Sequence, residues 1–157
     1  MTLLQINGAF VAVKNASLTV EHGQIHGLVG ESGAGKSTVG TAIMGLLEGN
    51  GQITSGTIDL EGSRISGVDS AAMAAIRGRR ISVIFQDPLT SLNPLYTVGQ
   101  QLTETIELHL KLNAQDAHQR AIELLNDVGI PNPELRIDQY PHQFSGGMRQ
   151  RVVIALA

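Results

Sequence analysis

A chain of 157 residues, 42% hydrophobic and 16% charged, carries enough apolar material for a domain with its own core, which excludes an intrinsically disordered protein. Its formal charge of −3 offers no global attraction to nucleic acid or to an anionic membrane surface, and the absence of cysteine excludes disulfides and thiolate metal sites. No charged-then-apolar leader opens the chain, and no apolar run approaches the roughly 20 residues of a spanning helix, so a membrane role has to run through a partner.

In chain order, the first stretch reads as strands, with Leu4 and Ile6, then Ala16, Leu18 and Val20, alternating with polar neighbours. Glu21-His22-Gly23-Gln24 is a turn. Ile25 to Val29 has the pattern of a strand buried on both faces in a parallel sheet. Gly30 to Gly35 is a loop, and Lys36 opens a helix in which Val39, Ile43, Leu46 and Leu47 recur at helical spacing. Ile53 to Leu60 reads as strand with a bend at Gly56, Glu61-Gly62-Ser63 as a turn, and 71–77 as a short helix. Ile81 to Phe85 is a second buried strand, stopped by Asp87-Pro88. From Thr97 the pattern turns helical. Val98, Leu102, Ile106, His109 and Leu110 form one stripe and Ala117, Ala121, Leu124, Leu125 and Val128 another, ended by Gly129-Ile130-Pro131. The last residues, Val152 to Ala157, stop inside an apolar helical pattern without a cap, so the chain reads as cut rather than finished.

Three segments carry chemistry. Gly30-Glu31-Ser32-Gly33-Ala34-Gly35-Lys36-Ser37 matches G-x-x-x-x-G-K-[ST] in full, between a strand pattern and an amphipathic helix. Small residues let backbone N–H groups surround a phosphate, and the helix start adds unpaired N–H groups and a positive dipole end. Lys36 supplies a charge for the β- and γ-phosphates, Ser37 a hydroxyl for Mg²⁺, and Thr38 reaches the α-phosphate side. An ordinary Gly-rich turn with an exposed lysine would not need this frame. Gln86 follows the second buried strand, where strand ends gather around ligands, with an amide able to touch Mg²⁺ or an attacking water. A plain surface glutamine also fits that position. Phe144-Ser145-Gly146-Gly147-Met148-Arg149-Gln150-Arg151 precedes an apolar helical run. Ser145 is a natural N-cap, and Gly146 and Gly147 leave bare N–H groups for a second anion, although a capped helix and nothing more is also consistent.

Taken together, GESGAGKST, FQDP and FSGGMRQR resemble the Walker A, Q-loop and signature motifs of ATP-binding cassette (ABC) proteins. The stretch Gln86 to Pro94 with Thr97-Val98-Gly99, Arg77-Gly78-Arg79-Arg80-Ile81 before it, and Tyr140-Pro141-His142-Gln143-Phe144 resemble the ATPase subunits of bacterial oligopeptide, dipeptide and nickel importers. The resemblance implies an α/β fold: a P-loop NTPase core with an N-terminal antiparallel β-subdomain and an inserted α-helical subdomain, incomplete at the C-terminus. The expected division is 1–96 for the core with phosphate loop and Q-loop, 97–143 for the helical subdomain, and 144–157 for the signature and the start of its helix.

The resemblance further implies ATP and Mg²⁺ as ligands and a second nucleotide-binding domain in a head-to-tail dimer. It also implies transmembrane permease subunits as partners and a peripheral place on the cytoplasmic face of the bacterial inner membrane. Residues 30–38 would hold phosphate and metal, with Lys36 and Gln86 as the catalytic pair and Ser37 and Gln86 at the metal. Ser145, Gly146 and Gly147 would contact the γ-phosphate bound on the partner. Part of the Gln86–Gln101 region would receive a short helix from a membrane subunit.

Three departures stand against the family pattern. Met148 occupies the place of a glutamine, as is frequent in the peptide-importer branch. Only Phe10 is available upstream to stack on adenine, with a place in the core as its alternative. No apolar strand ending in Asp-Glu, with a following Asp and His, occurs within the 157 residues, and Asp59 and Asp87 do not replace it; residues 1–157 alone should therefore hydrolyse ATP poorly. His22, His26, His109, His118 and His142 show no paired metal-ligand spacing, and Arg77, Arg79 and Arg80 read as a solvated basic cluster or a subunit contact. Other readings are a non-transport ABC-type ATPase of the DNA-repair or chromosome-structuring kind, an unrelated P-loop kinase or GTPase, and a nucleotide-binding fragment without turnover. The first calls for long coiled coils between Q-loop and signature, and the second has no need of residues 144–151.

Overall fold

The computed structural model describes residues 2–5, 10–49, 51–87 and 90–157, without the side chains of 2–5 and 10. Ile6, Pro88, Leu89 and the side chain of Phe10, all used in the sequence reading, lie outside that set, so the adenine-stacking expectation for Phe10 has no side-chain geometry. The chain divides into two compact units, 1–81 and 82–157.

The first unit begins with an antiparallel sheet in the order β2-β1-β3, formed by β1 (Thr2–Gln5), β2 (Phe10–Val13) and β3 (Gly51–Ser55). Between β2 and β3 lies helix α1 (Lys36–Ile43), packed through Val39 and Ala42. Gly56, at φ +85°, ends β3 where a bend was expected. A small hairpin follows, β4 (Asp59–Leu60) with β5 (Ser63–Arg64), closed by Glu61 and Gly62, both at positive φ as a tight hairpin turn requires. Helix α2 (Ser70–Ile76) starts under the side chain of Asp69, which accepts from the Ala72 N–H, and it buries Met73.

The second unit is helical: α3 (Val98–Leu110), α4 (Ala114–Asp127), α5 (Pro133–Arg136) and α6 (Gly146–Leu156). Its core joins Val98, Leu102 and Ile106 of α3 to Ala117, Ala121 and Leu125 of α4 and Val152 and Val153 of α6, closed by Leu92, Ile130, Ile137 and Phe144. Both helical stripes of the sequence are thus core stripes, except that Leu110 is exposed. The start of α3 is fully satisfied: Val98 and Gly99 N–H donate to the carbonyls of Gln139 and Ile137, and Thr97 with Gln100 forms a capping box.

The structure corrects three local expectations. Residues 16–20, 25–29 and 82–85 form no strand, and Ile81 makes a single parallel bridge to Arg77. Ile25 and Val29 are 99% and 91% exposed. An apolar run becomes a buried strand only when ladders flank it, and no described strand lies beside 25–29. The turn at 21–24, by contrast, closes through its own atoms, with Gln24 N–H donating to Glu21 O and Gly23 at φ +73°.

Candidate functional site

The phosphate loop lies between the exposed 25–29 run and α1. Its glycines have different tasks. Gly35 adopts φ +86° as the N-cap of α1, and a Cβ there would lie 2.7 Å from Val13 Cγ2 and 3.1 Å from the Ala12 carbonyl oxygen. Glycine at 35 is therefore demanded both by conformation and by the close approach of β2. Gly33, at φ +82°, faces open space.

The start of α1 is unlike those of α2, α3, α4 and α6. Asp69, Thr97, Asn113 and Ser145 each cap their helix with a side-chain oxygen, whereas Gly35 has none to offer. The first helical bond of α1 is made by Val39 N–H to Gly35 O, so the amides of Lys36, Ser37 and Thr38 precede the ladder. Lys36 folds back over this end. Its Nζ donates to the carbonyls of Gly30 (2.8 Å) and Glu31 (2.7 Å), which uses two of three ammonium donors and fixes the charge above the loop. Ala34 N–H closes the loop onto Glu31 O at 3.2 Å. Glu31, Ser32, Gly33, Ala34 and Ser37 are exposed, and the Ser37 hydroxyl makes no hydrogen bond among the described residues. Bare amides, a fixed ammonium and an exposed hydroxyl suit a phosphate chain with a hard cation, which takes oxygen ligands.

In the second unit Gln86 is exposed on an irregular segment. The 93–97 loop that follows Ser91 and Leu92 is held by Gln101. Its Nε2 donates to the carbonyls of Asn93, Tyr96 and Thr97, and its Oε1 accepts from Asn93 N–H. That clamp presents Leu95, 80% exposed, beside a half-exposed Tyr96.

The signature segment is positioned from below by Phe144, buried in the core, and by a 3₁₀ turn over Pro141–Gln143. Ser145 then caps α6, accepting from Met148 N–H at 3.3 Å, and nothing lies within 4 Å of a Cβ built on Gly146 or Gly147. Arg151 Nη1 donates to Gly129 O at 2.8 Å and ties α6 to the end of α4. Tyr140 and His142 stack with ring centroids 5.8 Å apart just before the signature. The phosphate loop thus belongs to the first unit, and Gln86 with Ser145–Gly147 to the second.

Two members of the basic cluster are tied to the fold, while Arg79 and Arg80 remain exposed. Arg77 donates to the carbonyls of Met44 and Gly45, and Arg80 to Leu60 O and the Glu61 carboxylate. The hydrogen bond and charge of Arg80 hold the Glu61 carboxyl below its ordinary range. Sequence reasoning missed Arg77, Gln101 and Arg151 because their acceptors are mostly main-chain carbonyls, which leave no trace in the residue pattern.

The ABC transporter family matches residues 13–157. The chain is 47% identical over 148 residues to the dipeptide transport ATP-binding protein DppD of Escherichia coli (strain K12), covering 94% of this chain and 45% of that protein. It is 46% identical over 147 residues to the oligopeptide transport ATP-binding protein AmiE of Streptococcus pneumoniae serotype 4, covering 93% and 41%. It therefore spans less than half the length of these relatives. Among solved structures it is similar to the dimeric bacterial ABC transporter cassette MJ0796, also seen in a post-hydrolysis state bound to ADP and Pi. The TM-score is 0.82 at 25% identity, over 99% of this chain and 68% of that one. The α/β architecture, a P-loop NTPase domain that is incomplete relative to those cassettes, follows from this likeness, and the chain belongs to the ABC transporter family.

Proposed function

We propose that residues 30–38 bind the phosphates of ATP with Mg²⁺, and that the protein of which these residues are part powers peptide import through membrane permease subunits. The observation that carries the reading is the uncapped start of α1 with Lys36 folded over it. In this reading the amides of Lys36, Ser37 and Thr38 receive phosphate oxygens, and Lys36 moves from loop carbonyls to the β- and γ-phosphates. Ser37 and Gln86 would hold Mg²⁺, which when bound neutralises charge on the phosphates. Gln86 would also orient the attacking water. Ser145, Gly146 and Gly147 would present the start of α6 to the nucleotide held by a second cassette, head to tail. The dimeric cassette MJ0796 supports that arrangement.

Both cited relatives are named for peptide transport, which favours peptides over nickel as the cargo. No helix among the described residues is long and apolar enough to cross a membrane. In this reading attachment is peripheral, through permeases on the cytoplasmic face of the bacterial inner membrane. The Leu95–Tyr96 shelf supports such a contact. A division at 1–96, 97–143 and 144–157 would separate the nucleotide core, the helical insertion and the signature.

The test is calorimetric titration of residues 1–157 with ATP, with and without Mg²⁺, on wild type and Lys36→Ala. Saturable binding that needs Lys36 and is strengthened by Mg²⁺ is expected. Heats indifferent to both would overturn the reading.

A further inference from the structure

The end of α1 away from the loop accepts two hydrogen bonds from one side chain, beside the buried Met44. Arg77 Nε donates to Met44 O at 2.8 Å and its Nη2 to Gly45 O at 2.8 Å, reaching back 33 and 32 residues along the chain. Gly45 takes φ +61°, and a Cβ built there would lie 3.0 Å from Arg77 Nη2 and 3.5 Å from Met73 Cγ. Arg77 is itself fixed at its backbone. It ends α2, donates to Met73 O, and pairs with Ile81 in a parallel bridge. Gly78 N–H donates to Ile81 O and Arg80 N–H to Ile76 O, so the 77–81 turn is closed by its own main chain. The chain then runs directly into the segment that carries Gln86.

We propose that Arg77 is a positioning residue for nucleotide binding, fastening the far end of the phosphate-loop helix to the turn from which the Gln86 segment departs. The proposal rests on the nucleotide reading given above. An eight-residue helix is about 12 Å long and marginal alone, so its orientation depends on what packs against it and what grips its ends. Its N-terminus has no side-chain cap and is the end assigned to phosphate in the reading above. The C-terminal grip, together with the packing of Val39 and Ala42 and the approach of β2 at Gly35, sets where the amides of Lys36–Thr38 stand. A guanidinium fits that task because its planar fork meets two carbonyls at once and its charge suits the negative end of the helix dipole. Phosphate arriving at one end of α1 would then be felt at the 77–81 turn, after which the Gln86 segment begins, through the helix and two hydrogen bonds.

The experiment compares wild type, Arg77→Ala and Arg77→Lys as full 157-residue chains. Folding is checked by circular dichroism, Mg-ATP affinity by titration, and amide exchange of residues 82–87 with and without nucleotide. Arg77→Ala is expected to weaken binding about tenfold and to abolish nucleotide-induced protection at 82–87, whereas Arg77→Lys, which keeps the charge but loses the two-pronged fork, is expected to fall between Arg77→Ala and wild type in both. A folded Arg77→Ala chain with wild-type affinity and wild-type protection would overturn the proposal. Should Arg77→Ala not fold, Arg77→Lys decides: affinity reduced about two- to fivefold with diminished protection supports it, and full wild-type behaviour overturns it. Wild type binding no Mg-ATP would instead remove the nucleotide reading itself, and this proposal with it.

Discussion

Lys36 and Ser145 differ in what the fold asks of each side chain. Lys36 makes two hydrogen bonds to carbonyls of its own loop, on an exposed surface where ammonium–carbonyl bonds contribute little to stability. Its replacement by alanine should leave the thermal midpoint nearly unchanged while removing detectable Mg-ATP binding. Ser145 is the reverse case for the isolated chain. Ser145→Ala should cost about 1 kcal/mol in unfolding experiments, the usual worth of an N-cap, yet leave nucleotide affinity of the single chain intact, since in the proposed dimer its phosphate belongs to another cassette. These residues were legible in the sequence because their meaning lies in side-chain type and spacing. Arg77 was not: it read as part of a solvated cluster, and only folding brings it to the carbonyls of Met44 and Gly45.

Helices were more legible than strands, and the reason is where their hydrogen bonds lie. The i→i−4 ladders of α3 and α4 are local, and their stripes at 98, 102 and 106 and at 117, 121 and 125 announced both the helices and their buried faces. A strand's bonds lie with its neighbours. The apolar runs 25–29 and 81–85 carry the composition of buried strands, but composition cannot supply a ladder. Helix placement also depends on one close approach that no pattern reveals. Gly99 sits where a Cβ would meet Ile137 Cγ1 at 2.6 Å and Ile137 O at 2.8 Å. Gly99→Ala should therefore push α3 off the 137–139 segment and weaken the Val98 and Gly99 hydrogen bonds. The expected cost is about 1–3 kcal/mol by denaturant titration despite the better helix propensity of alanine.

At the scale of the molecule, two units divide the labour, with the phosphate loop in one and Gln86 and the signature in the other. The chain spans 45% of the length of its Escherichia coli relative, and residues 1–157 contain no apolar strand ending in an Asp-Glu pair. We therefore expect polypeptide 1–157 to bind nucleotide without efficient turnover. A phosphate-release assay giving turnover comparable to an intact cassette, and lost in Lys36→Ala, would refute that. Beneath all of this lies one claim, that the uncapped start of α1 receives phosphate. Two-dimensional amide NMR of ¹⁵N-labelled chain titrated with Mg-ATP reads it directly. The account predicts that the amides of Gly33, Gly35, Lys36, Ser37 and Thr38 shift most and saturate together. Unmoved resonances at these positions, with Mg-ATP in excess and the chain folded, would contradict it.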